Sequence, residues 1–135
     1  MHRILLIDDN ETDLFIGKRL FLHYNEKLII ETCMNGQEAL EHLTKGRATN
    51  LPHPDIIICD IEMPIMDGYD FVIGYDKMFR DQRNNCCILI YSSTLDRSEM
   101  ELFKNHPLVC DFFQKPIEPD RIIEYVESKN RQRYW

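Results

Sequence analysis

The run DIIIC, residues 55–59, limits more than any other feature what this chain can fold into. Successive side chains of a strand point to opposite faces, so Ile56, Ile57, Ile58 and Cys59 are apolar on both. A strand that is apolar on both faces must be covered on both. That is the situation of a central strand in a parallel sheet flanked by helices. The run then stops on a carboxylate, Asp60, and Glu62 and Asp67 follow within CDIEMPIMDG. An acid at the end of the most apolar segment needs something to balance it.

The rest of the chain alternates short β-rich runs with amphipathic stretches. Strands are expected over 3–8 (RILLID), 27–33 (KLIIETC), 55–59, 86–91 (CCILIY) and 110–114 (CDFFQ). Helices are expected over 10–24, 35–46, 69–82, 96–106 and 118–132. The first carries Leu14, Gly17 and Phe21 at helical spacing, with Asn10 and Asp13 as N-cap and N3. The second pairs Asn35 with Glu38 at its start and closes on Gly46. Gly74 sits in the middle of the third, and Pro107 stops the fourth. Pro119 is tolerated in the first turn of the last. Asp67-Gly68 reads as a tight turn with the glycine at positive φ.

A (βα)5 order with short connections predicts one doubly wound α/β domain with right-handed crossovers. The expected sheet has five parallel strands in the flavodoxin-like order 2-1-3-4-5. The pattern occupies residues 1–135 as one domain and leaves nothing for an attached output module. A net charge of −7 and scattered lysines and arginines argue against nucleic acid or an anionic membrane as partner. Cys33, Cys59, Cys86, Cys87 and Cys110 are odd in number and lie mostly in apolar runs, as reduced core thiols of a cytoplasmic protein do. The opening MHRILLIDD turns acidic too soon for a signal peptide, and no apolar run approaches the ~18 residues of a membrane span.

Ligands of open parallel sheets sit at the C-terminal ends of the strands, at the switch point of the strand order. The first strand delivers Asp8 and Asp9 there, the third Asp60 and then Glu62. The fourth delivers Ser92, Ser93 and Thr94, the fifth Lys115 ahead of Pro116. The second offers only Cys33, Met34 and Asn35, which suits an outer position away from the site. Carboxylates crowded in one crevice repel one another, and a hard divalent cation such as Mg²⁺ (or Mn²⁺) balances them while binding a phosphate oxygen. A lysine and a strand-end hydroxyl add the cationic and donor support that phosphoryl transfer needs. Asp60, on the rigid central strand, is best placed as the nucleophile. Thr94 reads as a cap for the following helix, and the five histidines share no face and receive no role.

IDD (7–9), DIEMPIMDG (60–68), YSS (91–93) and KP (115–116) together resemble the receiver domain of two-component response regulators, stand-alone and chemotaxis-regulator-like. The resemblance implies that Asp60 is the phosphoacceptor, charged by a sensor histidine kinase or a histidine phosphotransfer protein. It implies Mg²⁺ held by Asp8, Asp9, Asp60 and the backbone carbonyl of Glu62. Ser92 matches the switch hydroxyl, Lys115 the family's lysine, and Phe112 the aromatic switch position. The Lys115–Pro116 bond is expected to be cis. The implied output is protein contact with a downstream target through the last-helix side, which is also the expected homodimer face. The kinase-facing surface includes DLFIGKRLF of the first helix.

Three other readings fit less well. A haloacid-dehalogenase-type phosphatase would want an aspartate at position 62 and its nucleophile on the first strand. A flavodoxin-like cofactor binder would need a phosphate-cradling first loop, which DDNETD would repel. A degenerate receiver used only for docking would not need Asp8, Asp9, Asp60, Ser92 and Lys115 all intact.

Overall fold

In the computed structural model, which describes residues 2–133 and side chains to residue 129, the IIIC run is the middle strand. It forms β3 (Ile56–Cys59), hydrogen-bonded to β1 (Arg3–Ile7) on one side and β4 (Cys87–Ser92) on the other. β2 (Ile29–Cys33) and β5 (Val109–Gln114) are the edges, giving the expected order 2-1-3-4-5 with every pairing parallel. The double-sided apolar pattern is used as read. Ile57 and Cys59 face one core with Leu5, Ile7, Ile88 and Ile90, whereas Ile56 and Ile58 face another with Ile4, Leu6 and Leu89.

The first core is covered by α2 (Gly36–Ala48) and α3 (Gly68–Met78), and by Phe103 at the end of α4 (Arg97–Leu102). The second is covered by α1 (Glu11–Tyr24) and α5 (Pro119–Arg133). In α1 the buried residues are Leu14, Gly17 and Phe21, the face the sequence spacing marked. Its N-cap is Asn10, whose side chain accepts from the Asp13 N–H. Asn35 does the same for α2 by accepting from Glu38. Cys33, Cys59, Cys86 and Cys87 are buried, as expected of core thiols.

Several boundaries differ from expectation. α2 runs through Gly46 to Ala48 and stops at Asn50, which is left-handed at φ 60. There Leu51 N–H donates to Gly46 C=O and Asn50 N–H to Arg47 C=O, a Schellman closure built on asparagine rather than glycine. α3 ends at Met78, and Arg80–Gln82 form a separate 3₁₀ turn (η1) after the buried Phe79. α4 ends at Leu102, four residues before the expected end. Residues 104–106 have nothing apolar to bury, and His106 precedes a proline that disfavours helix. Gly74 does not interrupt α3, and a methyl there would press on the tip of the Leu40 side chain of α2, 2.8 Å from Cδ1.

The expected positive φ at Gly68 is not found. Positive φ falls instead on Ile65, at 69°. Asp67 is the N-cap of α3, accepting from the Asp70 N–H, and Gly68 opens the helix. Glycine is required at 68 for another reason: any Cβ would run into the backbone carbonyl of Asp60. The turn after β3 folds so tightly onto the strand end that Gly68 N–H donates to Ile61 C=O at 2.8 Å.

Candidate functional site

Two strand ends bring the acids together. β1 and β3 are in register, with Ile7 opposite Cys59, so the residues that follow them meet at one edge of the sheet. Asp60 N–H donates to Ile7 C=O at 2.9 Å, which seats its backbone. One carboxylate oxygen of Asp60 accepts from the Ile61 N–H at 2.8 Å. Asp8 is fully buried, Asp60 partly so and Asp9 exposed, and one ligand oxygen from each lies within 4.8 Å of the other two. A set of hard carboxylate oxygens of graded exposure fits a hydrated Mg²⁺ or Mn²⁺.

The fifth strand supplies the cation. Lys115 Nζ lies 2.9 Å from Asp8, 3.1 Å from Asp13 and 3.3 Å from Asp60, and the Lys115–Pro116 bond is cis. Asp13 is therefore part of the cluster as well as the third residue of α1.

The two inner acids are held differently. Burial pushes the Asp8 carboxyl up, but the Tyr91 hydroxyl at 2.6 Å, Lys115 and the Asn10 N–H outweigh it, so Asp8 stays below the usual carboxylate range. Asp60 is pushed up to about 6, chiefly by burial and also by the Asp8 charge, which Lys115 and the Ile61 N–H only partly offset. Burial would lower Lys115, but its bond to Asp8 and the Asp60 and Asp13 carboxylates raise it, so it remains charged. A compact carboxylate cluster with one lysine is thus short of positive charge.

Ser92, at the end of β4, is buried with its hydroxyl directed to Glu99 of α4, 3.2 Å from Oε2 and 3.3 Å from Oε1. Thr94 does not cap α4. Asp96 does, in a capping box with Glu99, and Thr94 donates its hydroxyl to Glu99 at 2.6 Å. Phe112 is half-buried against the first core, its ring 6.1 Å from that of Phe103. Glu62 is exposed just beyond Asp60.

The expected Asp8, Asp9, Asp60 and Lys115 converge, while Ser92 and Phe112 stand on the α3–α4 side of the same edge. Tyr91, Asp13 and Glu99 were not singled out as site residues. Tyr91 lies in an apolar run and Asp13 in a helix cap, so local pattern explains each without a site. For Glu99 a signal existed in the D-x-x-E spacing of Asp96 and Glu99, but it marks a helix start, not a contact with Ser92.

A family model described as the response regulator receiver domain matches residues 4–127. The protein-glutamate methylesterase/protein-glutamine glutaminase of Geobacillus kaustophilus is 29% identical over 120 residues, 87% of this chain but 31% of that protein. Chemotaxis protein CheY of Bacillus subtilis is 26% identical over 127 residues, 94% of this chain and 96% of that one. A two-component response regulator from Cytophaga hutchinsonii has a similar crystal structure, with a TM-score of 0.82 at 23% identity over 94% of either chain.

Proposed function

The chain belongs to the family of response regulator receiver domains of two-component signalling, and we propose that within it Asp60 is the phosphoacceptor. The single observation that carries this reading is the convergence of Asp8, Asp9 and Asp60, with Lys115 bound to Asp8 and Asp60. A carboxylate oxygen of Asp60 attacks the phosphorus of a phosphohistidine. The new O–P bond forms as the P–N bond breaks, and the imidazole leaves with its electron pair and takes up a proton. Asp60 must be ionised to attack. Its raised carboxyl is still mostly ionised near neutral pH, and the neighbouring Lys115 favours that form.

Asp8, Asp9, Asp60 and the backbone carbonyl of Glu62 would hold Mg²⁺, which when bound supplies charge neutralisation for the phosphoryl oxygens. Lys115 balances the charge that accumulates on the acceptor side. Ser92 then trades its bond to Glu99 for one to the phosphoryl group, and Phe112 follows into the space beside it. That exchange moves the α4–β5 surface, where a downstream protein or a second copy would read it.

The donor is a histidine kinase or a histidine phosphotransfer protein. Phe15 and Ile16 of α1 are 62% and 48% exposed, more apolar surface than a solvated helix face carries. A cavity of about 270 Å³ lies between Ile16 and Leu20 of α1 and Ile117, and Lys115 lines it. A helix seated there would bring its phosphohistidine beside Asp60.

The test is the intact mass after incubation with acetyl phosphate and Mg²⁺. The expected result is one phosphoryl adduct, lost with EDTA and lost in Asp60→Ala. No adduct from any small donor, with the fold intact, would replace this reading with that of a docking module.

A further inference from the structure

We propose that Tyr91 is a positioning residue of this site, orienting Asp8 toward the metal through its hydroxyl and seating Lys115 through its ring. Tyr91 stands on β4 with its ring in the core under α1 and α5, 3% exposed. Its hydroxyl reaches out of that core to donate to Asp8 Oδ2 at 2.6 Å, the shortest contact in the cluster. Lys115 Nζ donates to the same oxygen at 2.9 Å, and the Asn10 N–H to Oδ1 at 3.0 Å. A carboxylate oxygen has about two acceptor positions. Oδ2 is therefore fully used, and only Oδ1 has an acceptor position left for a metal or its water. The phenol sets which oxygen that is and how the carboxylate plane is turned.

The same residue holds the lysine. Lys115 Nζ sits 4.8 Å from the Tyr91 ring centroid, within cation–π range, while also touching Asp8, Asp13 and Asp60. An aliphatic side chain at position 91 would fill the core equally well. It would leave Oδ2 to Lys115 alone and draw the ammonium toward Asp8, away from the phosphoryl position. Losing an outer hydrogen bond that orients a metal ligand commonly weakens metal affinity by roughly ten- to a hundredfold.

The inference rests on the proposed metal role of Asp8 and Asp9, so its test reads metal binding apart from phosphorylation. Mn²⁺ affinity is measured by electron paramagnetic resonance on the whole chain as wild type, Tyr91→Phe, Tyr91→Leu and Asp9→Ala. Circular dichroism checks the fold of each. Tyr91→Phe keeps the ring and removes only the hydroxyl, and is expected to weaken Mn²⁺ binding about tenfold. Tyr91→Leu also removes the cation–π seat. It is expected to lose beryllofluoride affinity at saturating Mn²⁺, where Tyr91→Phe does not.

A merely structural hydrogen bond would lower stability in urea and leave Mn²⁺ affinity alone. Wild-type affinity in a folded Tyr91→Phe would overturn the inference. If that variant does not fold, unchanged affinity in Tyr91→Leu would do the same. A wild-type chain that binds no Mn²⁺ would overturn the reading of the site itself, and this inference with it.

Discussion

The Ser92 hydroxyl faces the Glu99 carboxylate across the β4–α4 turn, 3.2 Å from Oε2, and Thr94 donates to the same carboxylate at 2.6 Å. A hydroxyl has one proton to give. While Glu99 holds it, a phosphoryl group on Asp60 must compete for it, and the two acceptors also repel each other as like charges. Glu99→Gln keeps a side-chain acceptor for the helix cap and removes the charge. It is expected to tighten beryllofluoride binding several-fold, whereas Ser92→Ala is expected to weaken it by about tenfold. Calorimetric titration of both variants checks this. Equal affinities for wild type and Glu99→Gln would mean that the contact has no say in the switch.

The acid chemistry of Asp60 gives a pH signature. Its carboxyl lies at about 6 when folded, against 3.8 for an ordinary aspartate. Between those values the folded chain binds more protons than the unfolded one, so Asp60 makes stability fall as pH rises through that window. The full penalty applies above pH 6 and vanishes below 3.8. Asp60→Asn removes it. In EDTA, urea denaturation at pH 7.5 is expected to find Asp60→Asn more stable than wild type by about 1–3 kcal/mol, with the gap closing toward pH 4. A variant less stable than wild type at pH 7.5 would show that Lys115, not burial, dominates the site.

Mg²⁺ should relieve the same penalty. Asp8, Asp13 and Asp60 share one lysine, Asp9 stands beside them, and a bound dication supplies the missing charge, so folding and binding are linked. At a Mg²⁺ concentration one hundred times Kd the chain is expected to gain about 2.7 kcal/mol. Thermal unfolding with and without chelator measures it. Asp9→Ala should lose most of the increment, because Asp9 is the exposed member and its removal leaves both cores untouched.

Gly68 is far from the acids in role but not in space. A methyl group there meets the Asp60 carbonyl and the Ile61 Cα, both backbone atoms that no rotamer change can move aside. Gly68→Ala is expected to cost roughly 2–4 kcal/mol and to weaken Mn²⁺ binding together with stability, since the strand end must shift. Gly74→Ala meets only the tip of Leu40, a flexible side chain. It should destabilise less and leave metal affinity intact. Paired urea and Mn²⁺ titrations on the two variants separate the cases.

The order of elements, the double-sided burial of β3 and the strand ends that carry Asp8, Asp9, Asp60 and Lys115 were all decided locally. Each follows from side-chain periodicity, a cap or a turn within a few residues, and topology rules then bring the strand ends to one edge. Where a helix stops is a weaker local signal. Gly46 lost to Asn50 because the Schellman closure needs a left-handed residue two places past the helix, wherever packing lets the chain turn. What only the tertiary structure decided is which neighbours complete the site. Tyr91 reads as one more apolar strand residue until β4 lies near enough to β1 for its hydroxyl to reach Asp8, 83 positions away in sequence. Asp13 and Glu99 read as helix-start acids until Lys115 and Ser92 arrive beside them. A side chain's hydrogen-bond partner depends on separations of a few ångströms between elements distant in sequence, and local periodicity carries no record of those distances.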